Sequence, residues 1–353
     1  MNGIISEIRS IQEIRSSYIL YLPKEWCREN NIGRGSKIII KGRSRRLMLE
    51  PLTEGLRTQE IHIEEFDITT LKYILISLYV MGHRSIRLIF KRNLSSKDRR
   101  RIREILKILR NFEIYEDGRN YIVIRDLGGA SDIKSAMMKE FNSAFNLVRL
   151  LKETSMSLLS GDNNMRSEEL AELLDSLEEL DTEIDMSRME VKRLYSKILD
   201  DLSIDPGIDH KILSNLIVIG NILERIGDHA ILALRILLEK KRIPREIVKI
   251  LDHIERTENI IARELDTILR NIPESKSEDL KTRLNTTLKE LAEIIELKKS
   301  LREVASLNSD ESGQMIIYHV VRIFDYLTDI AEYIIDMLVE ISVSSSHYKR
   351  TSP

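Results

Sequence analysis

The sequence contains one cysteine, Cys27, and no run of eighteen uninterrupted apolar residues. A lone thiol cannot close an intrachain disulfide or build a multi-cysteine zinc or iron–sulfur site, and beside Trp26 it reads as a bystander. No segment is apolar enough over sufficient length to be a membrane-spanning helix. Met1 to Ile11 lacks the apolar core of a signal peptide, so the expected location is cytoplasmic, without membrane insertion. A GxxxxGK phosphate loop, a GxGxxG dinucleotide motif and a GxSxG nucleophile elbow are all missing, and Gly33-Arg34-Gly35 is only a turn signal. No nucleophile, base and oxyanion donor can be named together, and the expectation is a protein that is not an enzyme. His210, His253 and His319 form no His-x-x-x-His pattern and receive no chemistry.

What is present is ample material for folding. Charged residues make up 32% and hydrophobic residues 42% of a 353-residue chain, enough apolar mass for a core and long enough for two or three domains. The formal net charge of -2 hides an uneven distribution. Between Ile8 and Pro51 ten basic residues (Arg9, Arg15, Lys24, Arg28, Arg34, Lys37, Lys41, Arg43, Arg45, Arg46) face four acidic ones (Glu13, Glu25, Glu29, Glu50). This segment suits a polyanionic partner, and from charge alone an ordinary solvated surface explains it equally well.

The opening reads as short strands. Tyr18 to Leu22 is a β-forming run closed by Pro23, Lys24 to Asn31 supplies one or two helical turns, and the turn Gly33-Arg34-Gly35-Ser36 leads into Lys37 to Lys41. A last strand, Leu47 to Glu50, ends at Pro51. So small a β domain lacks a core of its own, a deficit that dimerisation repairs. Residues 53–130 then read as a small α/β module. A strand at Ile61 to Ile63, a helix from Thr69 to Val80, a strand from Ser85 to Phe90 and a helix to Leu109 precede a hairpin through Asp117-Gly118. Its basic run Arg99-Arg100-Arg101 reads as a solvated helix start, with an anion-binding surface the lesser alternative.

From about residue 131 to 343 the apolar spacing becomes helical. Helices are predicted near 132–159, 167–203, 209–240, 244–271, 276–305 and 311–343, broken at Gly161-Asp162, Pro206-Gly207, Pro244, Pro273 and Asn308 to Asp310. Short connections between amphipathic helices point to an antiparallel bundle. A faint echo of Ile222 to Asp228 in Val320 to Asp325 suggests two three-helix units, and 344–353 is a polar tail.

Two carboxylate pairs stand out. Glu224 and Asp228 are four residues apart on one predicted helix, and Asp181 and Asp185 repeat that spacing on the helix before it, so each pair shares a helix face. Facing each other, the pairs make a set of hard oxygen ligands for a metal ion. Arg225 or Arg322 could instead form salt bridges to these acids and remove the need for one. Asp325 and Asp329 form a further aligned pair, with Glu332 and Asp336 beyond. His229 projects about 100° around the helix from Asp228 and reads as a neutral or surface residue. Gly227, in mid-helix, costs about 1 kcal/mol relative to alanine, and close helix approach is the expected compensation.

The run Leu223-Glu224-Arg225-Ile226-Gly227-Asp228-His229-Ala230 closely resembles the signature of the phosphate-uptake regulator PhoU family, and Leu180 to Asp185 looks like that family's second acidic motif. The resemblance covers about 132–343 and implies two three-helix repeats. By analogy Asp181, Asp185, Glu224 and Asp228 face a cluster of divalent or trivalent metal ions such as iron, zinc, manganese or magnesium. The second repeat departs from the pattern: Val321 stands at the usual glutamate and Phe324 at the usual glycine, and its acidic motif is indistinct around Glu290, Glu293 and Glu296. The front of the chain, at Ser17 to Trp26, Ile32 to Ile38 and Leu47 to Pro51, resembles the swapped-hairpin DNA-binding domain of the AbrB and SpoVT families. That resemblance names Arg9, Arg15, Lys24, Arg43, Arg45 and Arg46 as DNA contacts. Together the two imply a multidomain chain: a swapped-hairpin β domain at 1–52, the α/β module at 53–130 and an all-α PhoU-like bundle of two three-helix repeats at 131–343. They further imply a homodimer, double-stranded DNA and a phosphate ABC transporter as partners, with a peripheral membrane location through the transporter. A metal-loaded accessory protein that controls the transporter without binding DNA is the rival reading. A metallohydrolase ranks last, because acidic ligands alone supply neither a substrate pocket nor an oriented leaving-group partner.

Overall fold

A computed structural model describes residues 7–43, 46–52, 58–128, 132–160, 167–201, 204, 207–240, 243–270, 285–294, 296–297 and 310–348. The chain divides into two compact units, the first formed by Met1–Arg57 with Asp201–Ile204 and the second by Thr58–Asp200 with Asp205–Pro353.

The first unit holds two hairpins and a short helix. Strands β1 (Gln12–Ile14) and β2 (Ser17–Ile19) pair antiparallel, with Gln12 opposite Ile19. Arg15 and Ser16 turn the chain between them at φ 47° and 63°, the left-handed geometry that matches the twist of a tight hairpin. The predicted single strand from Tyr18 to Leu22 is therefore the second arm of a hairpin and stops at Ile19. Helix α1 (Lys24–Glu29) begins after Pro23, whose fixed φ suits a helix start. Strands β3 (Ile38–Arg43) and β4 (Arg46–Pro51) form the second hairpin, Arg43 opposite Arg46. None of the described residues in this unit is buried.

The second unit starts with a four-stranded sheet in the order β5-β6-β8-β7, made of β5 (Gln59–Ile63), β6 (Ser85–Phe90), β7 (Phe112–Asp117) and β8 (Tyr121–Asp126). β5 and β6 run parallel, which a hairpin cannot connect, and α2 (Ile68–Val80) makes the crossover. Asp67 caps α2 by accepting from the Thr70 N–H at 2.7 Å. Helix α3 (Ser96–Lys107) starts on a reciprocal Ser95/Asp98 capping box. Arg92 donates to the buried Asp98, holding its carboxyl well below the usual range. Of the basic run on α3, Arg99 pairs with Asp117 and donates to Gly118 O at 2.8 Å while Arg100 and Arg101 are exposed, as a solvated helix start requires. Leu71, Leu75 and Tyr79 of α2, Ile86 and Leu88 of β6, Ile102 of α3 and Ile122 and Ile124 of β8 form the core.

The rest of this unit is helical: α4 (Ile133–Ser160), α5 (Ser167–Asp200), α6 (His210–Lys240), α7 (Glu246–Leu269), a described stretch α8 over 285–294, and α9 (Glu311–Tyr348). α4, α5 and α6 pack on one another, α7 packs on α9, and the two sets meet through α6 with α9 and α4 with α7. The second meeting is laced by ion pairs from Lys152 to Asp252 and Glu255 at 2.8 and 2.7 Å and from Arg149 to Glu258. Among the described residues no helix is long and apolar enough to cross a membrane.

The sheet module and the helices are fastened along α5. Met189 joins the sheet-side core. Arg193 reaches Tyr79 O at 2.6 Å, His83 O at 3.1 Å and the Asp126 carboxylate at 2.7 Å. Its guanidinium also lies 4.5 Å from the ring centres of Tyr79 and Phe112. Lys197 bonds the same Asp126 at 2.6 Å, and Ser196 donates to Val80 O at 2.8 Å.

Candidate functional site

The acidic residues singled out in the sequence lie where α5 and α6 cross. Gly227 lies at the crossing: a side chain added there would meet Ile184 Cδ1, the outer end of a flexible side chain, at 2.6 Å and Leu147 Cδ1 at 3.6 Å. The close approach expected from a mid-helix glycine is therefore present, and it brings the neighbouring helical turns, carrying Asp181 and Asp185 on one side and Glu224 and Asp228 on the other, into electrostatic range. Burial and then the charges of Glu224, Asp181 and Asp185 push the Asp228 carboxyl up to about 6. Burial and Asp185 push Asp181 up as well.

Arg188 is the counter-charge. It donates to Asp185 at 2.9 Å along its own helix and lies 3.4 Å from Glu224 across the crossing. This corrects the expectation for Arg225 and Arg322. Arg322 pairs with Asp325 at 3.1 Å and donates to the Tyr326 hydroxyl at 2.9 Å, and Arg225 lies 5.9 Å from the Tyr326 ring centre. One bridging arginine leaves Asp181 and Asp228 as the crowded end of the group, the end at which a cation or a proton is electrostatically favoured. Among the described residues, no group of three or more histidine, cysteine, aspartate or glutamate side chains stands in an arrangement that could hold a metal ion. The crossing thus brings the four carboxylates into one neighbourhood without converging them on a common point.

Beneath this surface lies a residue that sequence reasoning missed. Glu140 of α4 is fully buried, and neither carboxylate oxygen has a hydrogen-bond partner. It occupies the notch left by Gly220 of α6, where an added side chain would meet its Oε2 at 3.0 Å. Burial pushes Glu140 up to about 8, against the pull of Arg188 and Lys192 and with a further push from Glu224. Lys192 is driven the other way, first by burial and then by Arg188. In the sequence its signal is an acidic residue on the face of α4 that carries the buried residues, a face that also includes Ser143, Thr154 and Ser155.

In the second set of helices Asp325 is buried and bound to Arg322, and Phe324 is buried in the core. Glu290 takes Arg263 at 2.6 Å. Asp325 is thus a structural ion-pair partner rather than half of an open carboxylate pair with Asp329. A second missed feature joins the two sets: His229 of α6 and His319 of α9 face each other with their Nδ1 atoms 2.8 Å apart. Burial, then the neighbouring His319 and Arg322, pushes His229 down to about 4, and burial lowers His319 too.

Of the basic residues named for DNA, Arg9, Arg15 and Lys24 are exposed, Arg9 beside Glu7. Arg43 and Arg46 close the β3–β4 ladder as an opposed pair, and Arg45 lies outside the described residues. No family model, no curated protein and no solved structure matches the chain.

Proposed function

We propose that this protein is a homodimeric, phosphate-responsive regulator that binds double-stranded DNA through its N-terminal unit and carries its regulatory contacts on the helical region. The observation that carries this reading is the surface of the first unit. Nothing described there is buried, and Ile11, Tyr18, Ile40 and Leu47 are 65%, 76%, 67% and 71% exposed. Two short hairpins with uncovered apolar side chains cannot hold themselves together in water, since a pair of strands needs a further layer to bury its apolar face. A second copy interleaving its hairpins, the arrangement in the AbrB and SpoVT families that this segment resembles, supplies that layer. It also doubles the basic residues presented on one platform, and release of counterions from DNA phosphates then drives association. The phosphate expectation, and contact with a phosphate ABC transporter, rest on the PhoU-like motifs at Leu180 to Asp185 and Leu223 to Ala230.

A second reading, a metal-binding accessory protein that controls the transporter without DNA, draws on the crowded carboxylates, above all the raised Asp228. One experiment separates the two. Sedimentation equilibrium is expected to show a dimer at micromolar concentration. Fluorescence anisotropy with promoter DNA is expected to weaken about 10³-fold between 50 and 200 mM salt. Replacing Arg43, Arg45 and Arg46 together by glutamine removes six cationic side chains from each dimer, which is expected to lower the log–log salt slope by about 5 and leave the dimer intact. A monomer, or a slope that the triple variant leaves unchanged, sinks the DNA-binding reading. A dimer without salt-dependent binding, whose metal content falls when Asp181, Asp185, Glu224 and Asp228 become amides, favours the accessory protein.

A further inference from the structure

The contact between His229 and His319 belongs to neither carboxylate pair. The residues are ninety positions apart, on two long helices that pack against each other, so the backbones of α6 and α9 set the approach of the rings. The ring centres are 5.0 Å apart, with Tyr318 and Tyr326 flanking His229 at 6.1 and 5.6 Å. His319 is buried and His229 half-buried, which gives the pair a dry side and an open side.

We propose that His229 and His319 form a two-imidazole site for a borderline divalent transition-metal ion, Zn²⁺ or Cu²⁺, clasping α6 to α9 with water in the remaining coordination positions. Three features carry it. First, both Nδ1 atoms point at one another in a hydrogen bond, one ring donating, so a bound ion takes the place of that proton, which the donor ring carries on Nε2 instead after exchange with solvent. Two imidazole nitrogens on a tetrahedral zinc lie roughly 3.3 Å apart, so inserting an ion asks for a separation of about half an ångström from the present 2.8 Å. Second, His319 is buried and His229 half-buried, so the packing of the two helices rather than solvent holds the rings where both nitrogens meet. Third, the donors are nitrogen only, which selects against Mg²⁺ and Ca²⁺, whose preferred ligands are oxygen. The nearest cation on α9, Arg322, is engaged by Asp325 and the Tyr326 hydroxyl, which offsets its repulsion of an incoming ion. The site is independent of the oxygen-ligand reading of Asp181, Asp185, Glu224 and Asp228.

The test uses the full-length, untagged chain titrated with Cu²⁺ and read by electron paramagnetic resonance, with Zn²⁺ competition followed by calorimetry. The expected spectrum carries hyperfine coupling from two imidazole nitrogens, and Zn²⁺ displaces the copper while Mg²⁺ does not. His319→Gln, which keeps a hydrogen-bonding group opposite His229, is expected to remove one nitrogen coupling and weaken binding by about tenfold or more. His229→Gln is expected to do the same. Coupling and affinity unchanged in both variants, or no bound copper in the wild-type chain, overturns the site. The Asp185→Asn/Glu224→Gln variant keeps the two-nitrogen spectrum if the histidines hold the ion. Copper that binds without imidazole nitrogen coupling and is released in that variant belongs to the carboxylates and overturns the proposal.

Discussion

Replacing Arg193 by alanine is expected to lower the unfolding free energy of the second unit by about 3–5 kcal/mol, the range for breaking one side of a buried ion pair. The side chains of Arg193 and Asp126 are 4% and 5% exposed, so water cannot take over the contacts that are lost. Without the guanidinium, the carbonyls of Tyr79 and His83 lose a donor and Asp126 keeps Lys197 as its cationic partner among the described residues. Burial alone would raise the Asp126 carboxyl, and it is the bonds from Lys197 and Arg193 that bring it below its ordinary value. Arg193 also covers the faces of Tyr79 and Phe112, so alanine opens space between α5 and the sheet module as well as removing charge. Arg193→Lys keeps the charge but cannot fork to several acceptors at once, and an intermediate loss is expected. Guanidinium unfolding of the three proteins at pH 7 measures both, and a loss below about 1 kcal/mol for alanine would show that the bonds of Arg193 are not what fastens the sheet module to α5.

The role of Arg193 has no signature in the sequence, and the reason is general to this chain. Period and punctuation made the elements readable: β6 is the predicted Ser85 to Phe90, and α4, α6 and α7 start and stop within a few residues of positions set by Gly161, Pro206-Gly207, Pro244 and Pro273. Where punctuation is atypical the pattern misleads. The β1–β2 turn uses Arg15 and Ser16 in left-handed conformations that glycine or asparagine usually adopts, so nothing in the sequence marks Gln12–Ile14 as the partner of the strand that begins near Tyr18. The parallel pairing of β5 with β6 is a fact of topology, on which alternation of apolar residues is silent.

The same division runs through the candidate site. Spacing of four residues put each carboxylate pair on a helix face, and Gly227 announced the close crossing that brings the pairs together. What spacing cannot give is partnership between helices. Arg188 could be placed one turn from Asp185, but its reach to Glu224 depends on the crossing angle. His319 had no histidine near it in sequence and finds one ninety residues away. Glu140 reads as one polar residue on α4 until Gly220, Arg188 and Lys192 are seen around it.

Glu140 is expected to make the protein less stable as pH rises from about 5 to 8. Its ordinary value is 4.5, and burial raises it to about 8 in the folded chain. Between those values the unfolded chain has released the proton that the folded chain still holds. The folded state therefore binds more protons, and unfolding free energy falls with increasing pH across that window. The accumulated penalty is on the order of 4 kcal/mol, given about 1.4 kcal/mol for each unit of difference. Glu140→Gln retains the shape that fits the Gly220 notch and removes the ionisation from both states, so its advantage over the wild type is expected to grow from near zero at pH 5 to about 4 kcal/mol at pH 8. Lys192, displaced downward, has the opposite effect on the slope, but it is present in both proteins and to first order drops out of the difference. Denaturant midpoints for the two proteins at pH 5, 6.5 and 8 decide the matter. Curves that stay parallel would mean that Glu140 is ionised in the folded chain, and the charge of Arg188 or Lys192 would then be neutralising it directly rather than bridging the acids on the crossing above.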